Sequence, residues 1–86
     1  MGVTFVSKRP VYWENKTEDH HKFWAANIQE EKDDNGNTVY RLIRRWGLIG
    51  TNGQRMEQVF NTQYEAETAL DKLIWDKENK GYKSIF

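Results

Sequence analysis

Residues 51–66 read Thr51-Asn52-Gly53-Gln54-Arg55-Met56-Glu57-Gln58-Val59-Phe60-Asn61-Thr62-Gln63-Tyr64-Glu65-Ala66, and the periodicity changes inside this run. Asn-Gly favours a tight turn, because both residues tolerate positive φ. Gln54 to Phe60 then returns as a strand. Thr62 and Glu65 stand three apart, the spacing of a capping box. Ala66, Ala69, Leu70, Leu73 and Ile74 follow at helical spacing with charges between them. Gly81 suits the left-handed residue that ends many helices. The spacing predicts a helix over about 63–79.

Upstream of this switch the pattern is that of strands. Val3 to Val6 and Val11 to Trp13 are β-branched and aromatic, with Pro10 at an edge or junction between them. Asn15 to His21 is polar and reads as a loop. Phe23 to Gln29 is a strand candidate with Trp24, Ala26 and Ile28 on one face. Asp33-Asp34-Asn35-Gly36-Asn37 gives a second Asn-Gly hairpin signal, and Thr38 to Ile49 is the next strand. Strands followed by one helix predict an α+β fold: an antiparallel sheet of four or five strands with a C-terminal helix packed on one face. Residues 1–86 are expected to form one domain, with 1–8 as an N-terminal extension or edge strand.

Composition limits the function. The 86 residues include four Trp, four Tyr and four Phe, enough large side chains to build a core from few positions. The absence of cysteine excludes disulfides, thiolate metal sites and a thiol nucleophile. No apolar run approaches the ~18 residues that span a bilayer, and a cytoplasmic location without membrane attachment is expected. Lys+Arg and Asp+Glu balance at 13 each, but unevenly along the chain. Asn35 to Met56 holds Arg41, Arg44, Arg45 and Arg55 and no acid, and residues 1–13 add Lys8 and Arg9. Such a stretch makes a local positive surface inside a neutral chain.

The most distinctive run is Arg44-Arg45-Trp46-Gly47-Leu48-Ile49-Gly50-Thr51. It resembles the motif of the WGR domain family. Lys22-Phe23-Trp24 before it, Thr62 to Ala66 after it, then Lys72-Leu73-Ile74, Lys77 and Lys80-Gly81-Tyr82, resemble family elements in the family's order. The resemblance covers about residues 9–82. WGR domains occur in some poly(ADP-ribose) polymerases and as bacterial modules. The resemblance implies contact with DNA at breaks, with the tryptophan matched by Trp46 packing on the terminal sugar. The position of the motif arginine is Leu48 here. No polymerase domain accompanies the motif, so no polymerase activity is implied.

Two readings of each candidate residue stay open. Trp46 is a stacking platform for an exposed nucleotide or a core tryptophan; strand alternation sets it with Tyr40 and Leu42, and a bulge near Gly47 would re-aim it. Arg41, Arg44, Arg45 and Arg55, extended by Lys8 and Arg9, contact phosphates or pair with Glu30, Glu31 or Glu57 across neighbouring strands. Gly47, Gly50 and Gly53 serve a bulge and a turn, or let a loop approach a ligand. Adjacent His20 and His21 do not converge on one ion, so no metal and no cofactor is expected. No nucleophile has a suggestive partner, so the chain is not expected to be an enzyme. The sequence favours a nucleic-acid-binding module that contacts the DNA sugar-phosphate backbone or ends without strong sequence readout. The alternative is a protein-interaction or regulatory module. The oligomeric state is left open.

Overall fold

The structure is a computed structural model that describes residues 6–7, 11–16 and 21–84. The elements are β1 (Val6–Ser7), β2 (Val11–Asn15), β3 (Lys22–Lys32), β4 (Thr38–Leu48), β5 (Gln54–Phe60), α1 (Gln63–Asn79) and β6 (Lys83–Ser84). The sheet is antiparallel, in the order β5-β4-β3-β2-β6, and β1 pairs with β3 outside that path. The expected α+β architecture is present, with the single helix across one face of the sheet.

Two long strands set the frame. β3 and β4 pair from Lys22↔Leu48 to Lys32↔Thr38 without a slip. β5 continues this alignment, from Tyr40↔Phe60 to Trp46↔Gln54. The bulge considered near Gly47 is therefore absent. Gly47 instead serves close backbone approach: a Cβ there would come 2.8 Å from the Cα of Gly53.

Alternation along these strands puts Trp24, Ala26, Ile28 and Leu42 under the helix, where all four are buried. Trp13 joins them from β2, its ring 5.4 Å from that of Trp24. Ala66 and Leu70 come down from α1 and are fully buried; Ala69, Leu73 and Ile74 are partly buried around them. The predicted apolar stripe of the helix is the one that packs.

The turns differ in detail from the sequence reading. Only glycines take positive φ among the described residues, so neither Asn-Gly pair forms a turn with both residues left-handed. In the first hairpin the amide of Gly36 donates to the Asp33 carbonyl at 3.0 Å, and the Asp33 amide to the Asn37 carbonyl at 2.9 Å. The Asp33 carboxylate accepts from the amides of Asn35 and Asn37. That is a three-residue loop closed by a left-handed Gly36. In the second, the chain turns first at Gly50, with the Thr51 amide and hydroxyl both donating to the Leu48 carbonyl.

The helix has the predicted limits. The Thr62 hydroxyl accepts from the Glu65 amide at 3.1 Å and donates to the Glu65 carboxylate. Its end is a Schellman motif: Gly81 at φ +93 donates to the Glu78 carbonyl and Tyr82 to that of Lys77. β6, unforeseen from its two-residue length, follows this turn and pairs with Trp13 and Glu14 of β2.

Burial ranks the helix residues. Leu70→Ala should cost about 2–5 kcal/mol, and Leu73→Ala less, because Leu73 is only partly buried. Urea unfolding of the two variants checks this; equal losses would show that the helix is rotated from the orientation described.

Candidate nucleic-acid interface

The unbroken register assigns each candidate residue on β4 and β5 to a face. Trp46 and Arg44 lie on the helix side with Leu42 and Tyr40. Arg41 and Arg45 lie on the opposite, open side, and so does Arg55, which pairs directly with Arg45 across β4 and β5. The four arginines are thus divided between two surfaces. Lys8 and Arg9 lie outside the described residues.

On the open face, the alternative weighed for the arginines holds at two positions. Arg41 reaches Glu31 at 2.6 Å and Glu57 at 3.0 Å, while Arg55 reaches Glu57 at 2.6 Å. These charges form a chain that largely neutralises itself. Arg45 instead donates to the Asn52 carbonyl and lies 5.8 Å above the Phe23 ring, which is itself stacked on Tyr12. The Tyr12 hydroxyl donates to Glu14 at 2.9 Å, and this bond above all holds the Glu14 carboxyl below its usual value.

The helix face is different. Trp46 is half-buried, packed against the core but not sealed in it. Beside it opens a cleft of about 280 Å³ lined by Trp24, Arg44, Trp46, Met56, Leu73, Asp76 and Lys77. β3 supplies Trp24, β4 supplies Arg44 and Trp46, β5 supplies Met56, and the second half of α1 supplies Leu73, Asp76 and Lys77. The Arg44 guanidinium contacts the Met56 sulfur, and its buried Nε has no hydrogen-bond partner. Lys77 lies 5.4 Å from the Tyr82 ring. Burial pushes the Lys77 ammonium below the ordinary lysine value, Lys80 pushes it the same way, and Arg44 and Lys22 add to this. Asp76 opposes them but is itself paired with Lys80 at 3.2 Å. An anion in this cleft would relieve desolvated, mutually repelling cations.

Sequence reading missed Lys77 and Lys22 as members of this cluster. A lysine between helical apolar positions reads as a solvated face, and only the packing of α1 against the sheet brings Lys77 to Trp46. Leu48, paired with Lys22 at the strand end, is 60% exposed and continues the helix-side face.

Gly53 fixes the backbone path beside Trp46. Its φ is +67, and a Cβ on it would overlap the Trp46 carbonyl oxygen while also touching the Phe23 ring. The loop therefore passes directly against the backbone that carries Trp46. Among the described residues there is no group of three or more side chains able to hold a metal ion. His21 is exposed. No helix among them is long and apolar enough to cross a membrane.

The model of the WGR domain matches residues 10–85. No curated protein and no solved structure matches the chain.

Two measurements test this geometry. Gly36→Ala meets open space and pays only for positive φ, about 1–2 kcal/mol. Gly53→Ala adds the overlap with Trp46 and should cost clearly more in chemical denaturation; equal costs would refute the close approach. The second is the pH dependence of melting. The Arg55 hydrogen bond, ahead of the charges of Arg55 and Arg41, holds Glu57 below its reference value of 4.5. Its contribution is therefore full above that value and lost as pH falls through the lower folded-state value. Glu57→Gln should flatten the acid side of the profile, and an unchanged slope would show that the ion-pair chain is not formed.

Proposed function

This chain belongs to the WGR domain family, a fold associated with nucleic-acid contact and made of non-catalytic modules, and we propose that it binds DNA ends or unpaired segments through the Trp46 cleft. One observation carries the reading: the half-buried Trp46 lines one cleft with two cations, Arg44 and Lys77, neither of which forms an ion pair among the described residues, while Asp76, the one acid in the cleft lining, is paired with Lys80. An aromatic surface accepts a sugar or base by packing, and the flanking cations accept the adjoining phosphates. Contacts of this kind hold the backbone without reading sequence. Lys22 extends the positive side beyond the cleft.

In this reading the arginines divide by role. Arg44 contacts phosphate directly. Arg45 stands on the far face and adds to the general field, while Arg41 and Arg55 are committed to Glu31 and Glu57. Leu48 contributes no charge, so the affinity rests on Arg44, Lys77 and Lys22.

Fluorescence anisotropy with nicked, blunt and single-stranded DNA, at about 50 and 200 mM salt, tests the proposal. Affinity should fall steeply with salt. Arg44→Gln and Lys77→Gln should each weaken binding, with little change for Arg41→Gln. Trp46→Ala should cost about 1–3 kcal/mol of binding, with melting followed separately because the residue also touches the core. Leu48→Arg adds a cation on the face of Trp46 and should strengthen binding. Affinity indifferent to salt, or equal losses for Arg41→Gln and Arg44→Gln, would remove the cleft from consideration.

A further inference from the structure

β5 is a sheet edge. Among the described residues nothing pairs with its outer side. It runs seven residues, Gln54-Arg55-Met56-Glu57-Gln58-Val59-Phe60, without proline, lysine or bulge. Its side chains are exposed through Val59, with Met56 and Val59 each 48% accessible. Edges of this kind present unpaired amides and carbonyls to another strand, and many are blunted by lysine, proline or a bulge; β5 has none of these, and its only charges are one arginine and one glutamate, Arg55 and Glu57.

The sequence of the edge says which strand fits. In an antiparallel pair, partners share a face, so a continuous sheet needs odd residues opposite odd and even opposite even. With Met56 opposite Met56 of a second copy, Arg55 faces Glu57 on both sides of the axis. Gln54 then faces Gln58 on both sides as well. The open face gains a square of alternating charges, and the helix face gains a thioether contact between two amide pairs. Neighbouring registers lose this. A shift one way sets Arg55 against Arg55, and a shift the other way sets Glu57 against Glu57, both unfavourable. Opposite charges directly across a pair are favourable.

The geometry points to a symmetric dimer formed by β5–β5 pairing of two copies of this chain, with Met56 on the two-fold axis. The two sheets become one, and both helices lie on the same face. Each Trp46 pairs with Gln54, Gln54 faces Gln58 of the second copy, and that Gln58 pairs with its own Leu42. The two Trp46 residues are thereby three strand spacings and four residues apart, roughly 20 Å. Both clefts open on one side of the assembly.

The chain has no cysteine, so single-cysteine variants report the register directly. Sedimentation equilibrium of the full chain without DNA should show a dimer fraction that rises with concentration. Arg55→Glu should abolish it, and the double variant Arg55→Glu, Glu57→Arg should restore it; far-UV circular dichroism checks that each is folded. Under mild oxidation Met56→Cys should form a covalent dimer, and Gln58→Cys and Trp75→Cys should not. A chain that stays monomeric to its solubility limit overturns the proposal. So does a dimer that survives Arg55→Glu or crosslinks best through Trp75→Cys. Neither readout involves DNA, so failure here is distinct from failure of the cleft to bind it.

Discussion

The uninterrupted pairing of β3 with β4 is the constraint on which the rest of the structure depends. Eleven residues of each strand lie in register, and the side-chain period of two leaves no freedom once one residue is placed. Trp24 and Leu42 must be buried, and that burial settles the face of everything else on the two strands. Trp46 follows Leu42 to the helix side. Arg41 and Arg45, at odd positions, are carried to the other side. A slip of one residue would exchange the two surfaces and expose the core.

The division has an electrostatic result. On the open face cations and anions alternate closely enough to satisfy each other, through Glu31, Arg41, Glu57 and Arg55. On the helix side Arg44 and Lys77 meet in a confined cleft and repel. A zero net charge for the chain therefore conceals two unlike surfaces. Long-range attraction depends on such local imbalance more than on the sum.

Much of this was legible in the sequence, for identifiable reasons. The helix limits came from a hydroxyl three residues before a glutamate and from Gly81, both local signals acting through local bonds. The strand positions of Trp24, Ala26, Ile28, Tyr40, Leu42 and Trp46 came from alternation, which tertiary packing enforces. What escaped was set by distant partners. β3 runs on past Gln29 through Glu30-Glu31-Lys32, a charged stretch without strand character, because β4 pairs with all of it and Arg41 binds Glu31. The basic run was visible as a cluster in sequence, but consecutive strand residues point apart, so proximity along the chain separated Arg44 from Arg45 in space. Lys77 reached the cleft only through the docking of α1.

The end of that helix bears on the charge of the cleft in another way. The C-terminus of a helix carries a partial negative charge, which resides on carbonyls left without donors. Here three of those carbonyls are occupied. The Lys77 carbonyl takes the amides of Lys80 and Tyr82, the Glu78 carbonyl that of Gly81, and the Lys80 carbonyl the side-chain amide of Asn15. Much of the negative pole of α1 is thus engaged inside the protein, on the turn that leads the chain into β6. Lys77 and Lys80 stand at a helix end whose engaged carbonyls leave less partial negative charge to offset them.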